Sequence, residues 1–437
     1  MFVHKQHLRQ RRSIQTVMKT NFSRLRIALS TLLLASASAA WSQSWLTGGP
    51  YLQEVTPSAA TVVFTHSIPS LSWIEVREKG QTDSQAFYQT EHGQIKAYRQ
   101  IMASSAALPV QNFCVRATGL KPGTPYQYRV RGKRVTAMNA EGATLSPLSA
   151  DNYASKWYDF STQDPEEKEH HLLVTSDMHN RPDTLKAILR NLDYNTCNHI
   201  IYNGDMENYM QISGSGSEEP YKAFINASCD LFAKNKPFEF VRGNHETRGD
   251  ISGFVFDYFP RESGKLYNAY RWGDLEVVML DCGEDKVDDH AEYYGMAAYY
   301  PYREEQKKWL EKLIKTEEFC TAKYRIAICH FNVLNAGKRN TEFDGSPHFT
   351  ELMLPLMKAG NVDLVLTGHT HPKSYVRMEE SDDDIVEYNF GNHTGMRIDI
   401  AQGKINLKIA DSAGNVYLDK VIKDERNGQQ LIFLSTE

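Results

Sequence analysis

Five apolar runs in this sequence end in residue types that bind metal ions. They are Asp177-Met178-His179 after "HLLVT", Gly204-Asp205 after "HIIYN", Gly243-Asn244-His245-Glu246 after "FEFVR", His330 after "YRIAIC", and Gly368-His369-Thr370-His371 after "VDLVLT". Each alone has an ordinary explanation. Gly-Asp is a common turn, a histidine after a strand is usually structural, and "GNHE" reads as a helix cap. Together, in one order and with room for a connecting unit between them, they point to one cluster. Carboxylates, an amide oxygen and imidazoles suit borderline ions such as zinc, iron or manganese. Side chains at i and i+2 of an extended segment point the same way. Asp177 and His179 are therefore expected to reach one ion, and His369 and His371 to project together.

These ends need a scaffold that gathers them. Between the runs lie helical patterns such as "PDTLKAILRNL" and "REEQKKWLEKLIK". Continuous apolar strands alternating with helices imply an α/β arrangement with the sheet buried on both faces. Ligands then bind at the carboxyl ends of the strands, where the polar residues fall. The stretch from "DIVEYNFGN" to "GNVYLDKVIK" returns to strands and is expected to complete the sheets of the same domain, taken as 171–437. Residues 43–160 read as all-β, with "SAATVVFTH", "SWIEVRE" and the alternating "PYQYRV" as strands between turns. "ATGLKPGTPYQYRVRGK" resembles the end of a fibronectin type III-like sandwich. The polar "STQDPEEKEHH" reads as a linker over 161–170. "SGSGSEEP" is a small polar loop, and the five tyrosines of 288–302 are expected to pack against the sandwich, with a stacking lid as the second choice.

The chain has 437 residues, more than one typical domain of about 100–200. A net charge of −5 argues against a generic binder of nucleic acid or anionic membrane. Residues 1–42 run from basic (Lys5 to Arg26) to apolar (Ile27 to Ala35) to small (Ser36 to Ala40), the order of a signal peptide, and the start codon could be Met1 or Met18. The expectation is export, to the periplasm or outside the cell, with no membrane span after cleavage. Six cysteines, none in a CxxC pair, exclude a zinc ribbon.

The ordered motifs D-x-H, G-D, G-N-H-E, H and G-H-x-H resemble those of the calcineurin-like metallophosphoesterases. "GPYLQEVTPSAATVVF", "LYNAYRWGDLEVVMLD" and "QKKWLEKLI" further resemble the purple acid phosphatase branch. The resemblance implies a four-layer α/β/β/α domain after the sandwich, holding two divalent or trivalent ions. By motif, Asp177, His179, Asp205 and His371 hold one ion, and Asp205, Asn244, His330 and His369 the other. His245, pointing away from Asn244 as neighbours on an extended segment do, is the candidate to protonate the leaving oxygen or contact phosphate. Glu246 either orients it or is an exposed acid at a helix start, Arg248 is read first as a surface residue and second as a phosphate contact, and Asn208 is a further candidate substrate contact. That branch has D-x-G and G-D-x-x-Y where this chain has His179 and Asn208, so its iron–tyrosinate pair is expected to be absent.

The expected activity is hydrolysis of small phosphate monoesters by attack of a metal-bound hydroxide. A phosphodiesterase acting on nucleotides is the alternative enzyme, and an inactive binding or adhesion protein the alternative class. No nucleic acid beyond nucleotides is expected as a partner, and the oligomeric state is left open.

Overall fold

The computed structural model describes residues 45–423 apart from 67, 92, 96–111, 140–141, 213–219, 341, 372–375 and 381–384. The leader expected at 1–42 and all but the last residue of the polar loop 213–220 lie outside the described residues.

Two sheets face each other between Leu46 and Ser161. One has three strands, Leu46–Gln53, Ala59–His66 and Asn112–Thr118, in that order. The other is built around the long strand Pro125–Asn139, with Ser70–Glu78 beside it. In Ser70–Glu78 burial alternates, as the pleat requires: Ile74 and Val76 face Val62, Phe64, Val115 and Val130, while Trp73, Glu75 and Arg77 turn outward. Ala59–His66 breaks this alternation, for all 8 of its residues are buried. Its second face, through Val63, packs into the core of the following domain.

That domain has two six-stranded sheets. In the first, Glu239–Val241, His199–Asn203 and His170–Thr175 run parallel; Thr394–Ala401, Lys404–Asp411 and Val416–Lys423 continue it antiparallel. In the second, Leu275–Leu280, Tyr324–Cys329, Leu364–Thr367 and Val386–Phe390 are parallel, edged by Asn268–Trp272 and Val376–Glu380. Alternate residues sort into layers. Leu172 and Val174 meet Val277, Met279 and Ile326 between the sheets. Leu173 points the other way, onto Leu185, Ile188 and Leu189 of the helix Pro182–Asn191, whose proline occupies the first turn, where a missing N–H costs nothing. On the far side, Val278 and Leu280 pack against Leu310 of the helix Tyr299–Leu313 and Met353 of the helix Gly345–Ala359. The result is helix, sheet, sheet, helix.

The sandwich is stitched onto this domain. Tyr51 Oη donates to Tyr258 O at 2.8 Å, Gln53 Nε2 to Phe238 O at 2.8 Å, and the Leu52 amide to Ala233 O at 2.9 Å. Residues 162–169 form neither helix nor strand but are pinned on the mixed domain, Gln163 Nε2 reaching Arg271 O at 2.5 Å.

The tyrosines of 288–302 make different contacts from those expected. Tyr293, Tyr300 and Tyr302 aim their hydroxyls at Glu284, Asp344 and Asp281 of the mixed domain, and Tyr294 is exposed. A part-buried phenol needs an acceptor, and the acids after Leu275–Leu280 supply it. All six cysteines are free. No helix among the described residues is long and apolar enough to cross a membrane.

Candidate metal centre

The parallel strands deliver their polar ends to one place. Asp177 and His179 follow His170–Thr175, Asp205 follows His199–Asn203, and Asn244 follows Glu239–Val241. From the second sheet, His330 follows Tyr324–Cys329, and His369 and His371 follow Leu364–Thr367. Three overlapping groups of donors result: Asp177, His179 and His371; His179, Asp205 and His245; Asp205, His330 and His369. Asp205 belongs to two of them and lies nearly inaccessible, at 2% exposure. Its Oδ2 is 3.2 Å from His330 Nε2, 3.8 Å from His245 Nε2 and 3.9 Å from His179 Nε2. His371 Nε2 is 2.9 Å from Asp177 Oδ1 and 3.3 Å from His179 Nε2. His369 Nδ1 lies 3.1 Å from Asn244 Oδ1.

The convergence does not come from extended backbone. Asp177, His179, Asp205, His369 and His371 all have positive φ, between 44° and 67°. The expectation that i and i+2 meet on an extended segment is therefore corrected. Tight left-handed turns aim these side chains, and the turns are held by their neighbours. The Asp177 amide donates to Gly204 O at 3.0 Å and the His179 amide to Asp205 O at 3.0 Å. Asn244 is right-handed and leads into a short 3-10 turn from His245, so the relation of these two neighbours is also not that of a strand.

The turns press close together. A Cβ on Gly204 would stand 2.6 Å from Gly243 Cα, and one on Gly391 would stand 2.2 Å from Asp177 Oδ2. Gly391 was not singled out in the sequence. Its signal was available, because "VEYNFGNHT" repeats the pattern of an apolar run ending in Gly-Asn-His.

Glu246 has a different role from the one expected. It is fully buried and is not hydrogen-bonded to the His245 ring. Its Oε2 accepts the amides of Asp205 at 2.9 Å and Gly243 at 2.8 Å, and its Oε1 those of Met206 at 2.7 Å and Glu207 at 3.3 Å. It clamps two donor loops together. His245 is oriented instead by Asn208, whose backbone carbonyl takes the Nδ1 proton at 3.0 Å and leaves Nε2 toward Asp205. Asn208 thus acts through its main chain, and its own amide is held by Asn180 Oδ1 at 3.0 Å. Arg248 is held in a two-pronged pair with Glu284, at 2.7 Å on each side. Tyr209 stands 45% exposed beside the His245 ring, with centroids 6.3 Å apart.

The electrostatics describe a cavity made for positive charge. Burial opposes ionisation of Asp205, but His330 and the other imidazoles outweigh it and hold the carboxyl well below its usual range. Burial likewise disfavours a charged His330, yet the charge of Asp205 beside it pushes its pKa well above the usual value. For His369, burial and then the charge of His330 lower the pKa to about 4. His330 Nδ1 lies 2.8 Å from Asn203 O, fixing it as the donor, and His330 Nε2 is buried and turned to Asp205 Oδ2 at 3.2 Å. Without metal a proton shields that nitrogen from the carboxylate, and a metal ion displacing the proton would find both donors aimed at it. The residues present suit the pair of ions that the resemblance implies.

Residues 170–373 match the family model of the calcineurin-like phosphoesterases, and the chain carries a domain of that family. Among solved structures it is similar to a purple acid phosphatase from yellow lupin (Lupinus luteus) seeds, at 15% identity and a TM-score of 0.59, over 86% of this chain and 74% of that one. That likeness is one of fold and takes in the N-terminal β region. Weaker likenesses include a protein from Thermus thermophilus (TM-score 0.32, 13% identity, 59% of this chain and 99% of that one) and a phosphoesterase from E. coli (TM-score 0.27, 12% identity, 57% and 98%). No curated protein matches the sequence.

Proposed function

We propose that this chain is a dimetal phosphomonoesterase. The observation that carries the reading is the shared Asp205 carboxylate, with His330, His179 and His245 each presenting Nε2 within 3.9 Å of the same oxygen. Asp177, His179, Asp205 and His371 are assigned to one ion, and Asp205, Asn244, His330 and His369 to the other. Two bound ions would supply Lewis acidity toward the phosphoryl oxygens and acidify a water. The chain's own groups do the rest. Asp205 would be the carboxylate that both ions share. Asn203 fixes the tautomer of His330. His245, its Nδ1–H held by the Asn208 carbonyl, turns Nε2 into the centre, where the ring in its imidazolium form would give the Nε2 proton to the leaving oxygen. Zinc, iron or manganese suits this donor set, and Asn208, standing where the purple acid phosphatase branch has its tyrosine, disfavours an iron–tyrosinate pair. The monoester preference is supported by the fold shared with an enzyme named as an acid phosphatase. The basic, apolar, small-residue leader supports action outside the cytoplasm.

The test is hydrolysis of p-nitrophenyl phosphate against bis-p-nitrophenyl phosphate by protein loaded with manganese, zinc or iron. Asp205→Asn and His330→Ala are each expected to lower the monoester rate by about 10³-fold or more, on the scale of losing an electrostatic stabiliser of the transition state. Hydrolysis that survives both substitutions sinks the dimetal mechanism, and a larger kcat/KM for the diester moves the substrate class.

A further inference from the structure

A second group of donors lies at the other end of the first sheet. Glu167, His170 and His199 offer ligand atoms within 4.8 Å of one another. His170 and His199 open their strands, whereas Asp177 and Asp205 follow the carboxyl ends. Six residues at about 3.3 Å each put this group roughly 20 Å from the first centre.

The details point to an occupant. His170 is completely buried, and its Nε2 lies 2.7 Å from Asp274 Oδ1. That contact puts the imidazole proton on Nε2 and leaves Nδ1 as a bare lone pair. Nδ1 is buried, has no hydrogen-bond partner, and faces Glu167 Oε2 at 3.6 Å. A lone pair against a carboxylate is repulsive unless a proton or a cation stands between them. His199 Nε2 converges on the same oxygen at 3.0 Å, which gives a third donor that a proton would not require. Asn198 Nδ2 holds the other oxygen, Oε1, at 2.7 Å, so Glu167 is aimed.

We infer that Glu167, His170 and His199 form a further divalent-metal site, suited to zinc, which ties the segment joining the two domains to the sheet. Zinc bonds of about 2.0–2.1 Å in a tetrahedron set donors about 3.4 Å apart, and the two measured separations, 3.0 and 3.6 Å, bracket that value. A carboxylate behind a ligating histidine, as Asp274 stands behind His170, is the usual support of such a site. The fourth position is open to a water. Next to the group is a cavity of about 490 Å³, lined by Gln163, Asp164, Glu167, His199, Lys236 and Trp272, which gives an ion its access. Trp272 lies flat on His199, with centroids 3.6 Å apart and planes at 7°. That contact supplies a reporter.

The experiment strips the full-length protein with a chelator, titrates it with zinc and counts bound metal. Wild type is expected to hold one equivalent more than Glu167→Gln or His199→Gln, with both variants still hydrolysing p-nitrophenyl phosphate at the wild-type rate if the first centre works as proposed. Copper(II) is expected to quench emission from Trp272, and the quench to disappear in Trp272→Phe and in Glu167→Gln. Circular dichroism of the stripped proteins confirms that the variants fold. Equal metal counts in wild type and both folded variants overturn the inference, as a buried His170 imidazolium that ignores zinc would produce. So does quenching of the same size without Trp272. A metal-loaded wild type that does not hydrolyse p-nitrophenyl phosphate faults the first centre's assignment, while the difference in metal count still decides this group.

Discussion

In the sandwich the backbone is relaxed, and among its described residues only Glu54 outside glycine has positive φ. Around the candidate metal centre the same conformation recurs at Asp177, His179, Asn180, Asp205, His369, His371, Asn392 and His393. A left-handed non-glycine residue costs about 1–2 kcal/mol, so the two regions spend stability differently. The sandwich puts its chain into burial and pairing. The metal centre accepts local strain so that donors from five strands face one volume, and its surroundings hold the strained turns in place.

The contrast can be broken first at the clamp. Glu246→Ala leaves the amides of Asp205, Met206, Gly243 and Glu207 without their acceptor. On the order of 4 kcal/mol of stability should be lost, given about 1–3 kcal/mol for each buried donor left unmet and partial relaxation. Urea unfolding of the metal-free protein measures it, and a loss below about 1 kcal/mol would show that the donor loops hold themselves.

The second effect belongs to the sandwich. His66 is buried beside Ser70 and Ser72, and burial lowers its pKa to about 3 from the ordinary value near 6.5. The folded value is depressed, so the unfolded chain binds the proton first as pH falls. Stability from this group is present above about pH 6.5 and is lost progressively toward pH 3. Between pH 7 and pH 4 the loss should be on the order of 2–3 kcal/mol. His66→Gln should remove that part of the pH dependence in denaturant titrations; an unchanged slope would deny that burial controls the residue.

The smallest effect sharpens the comparison most. His179 carries φ of 44°, which glycine adopts freely. His179→Gly should raise the stability of the metal-free protein by about 1 kcal/mol or less, while hydrolysis falls by at least tenfold through the lost imidazole. A glycine that destabilises the chain would mean that this turn is not strained.

Much of this centre was legible because its donors are marked locally, by residue type and by their place after apolar runs. The alternation of strands and helices gave an α/β sheet buried on both faces, and the four layers came from the family resemblance. What sequence could not supply was partnership across distance. Glu246 looks like a helix-start acid until the amides of Asp205 and Met206, some 40 positions earlier, are seen on its carboxylate. Arg248 looks free until Glu284 is found beside it. The left-handed turns were hidden for the same reason, since tertiary hydrogen bonds override what Asp177 and His179 would do alone. Glu167, His170 and His199 have no motif spacing at all, and only the parallel pairing of two strands brings the two histidines side by side.

The burial of Ala59–His66 on both faces bears on how such a chain can be rearranged by recombination. A module whose outward strand faces only water can be exchanged between proteins as a cassette. Here Val63 and Tyr51 of the sandwich pack into the core of the following domain, and Tyr51 Oη donates to the Tyr258 carbonyl there. Splicing at 161–170 would leave an apolar wound on one product and an unmatched strand face on the other. The two parts are therefore expected to be inherited together, and a graft onto another scaffold must carry the residues that Tyr51 and Val63 touch.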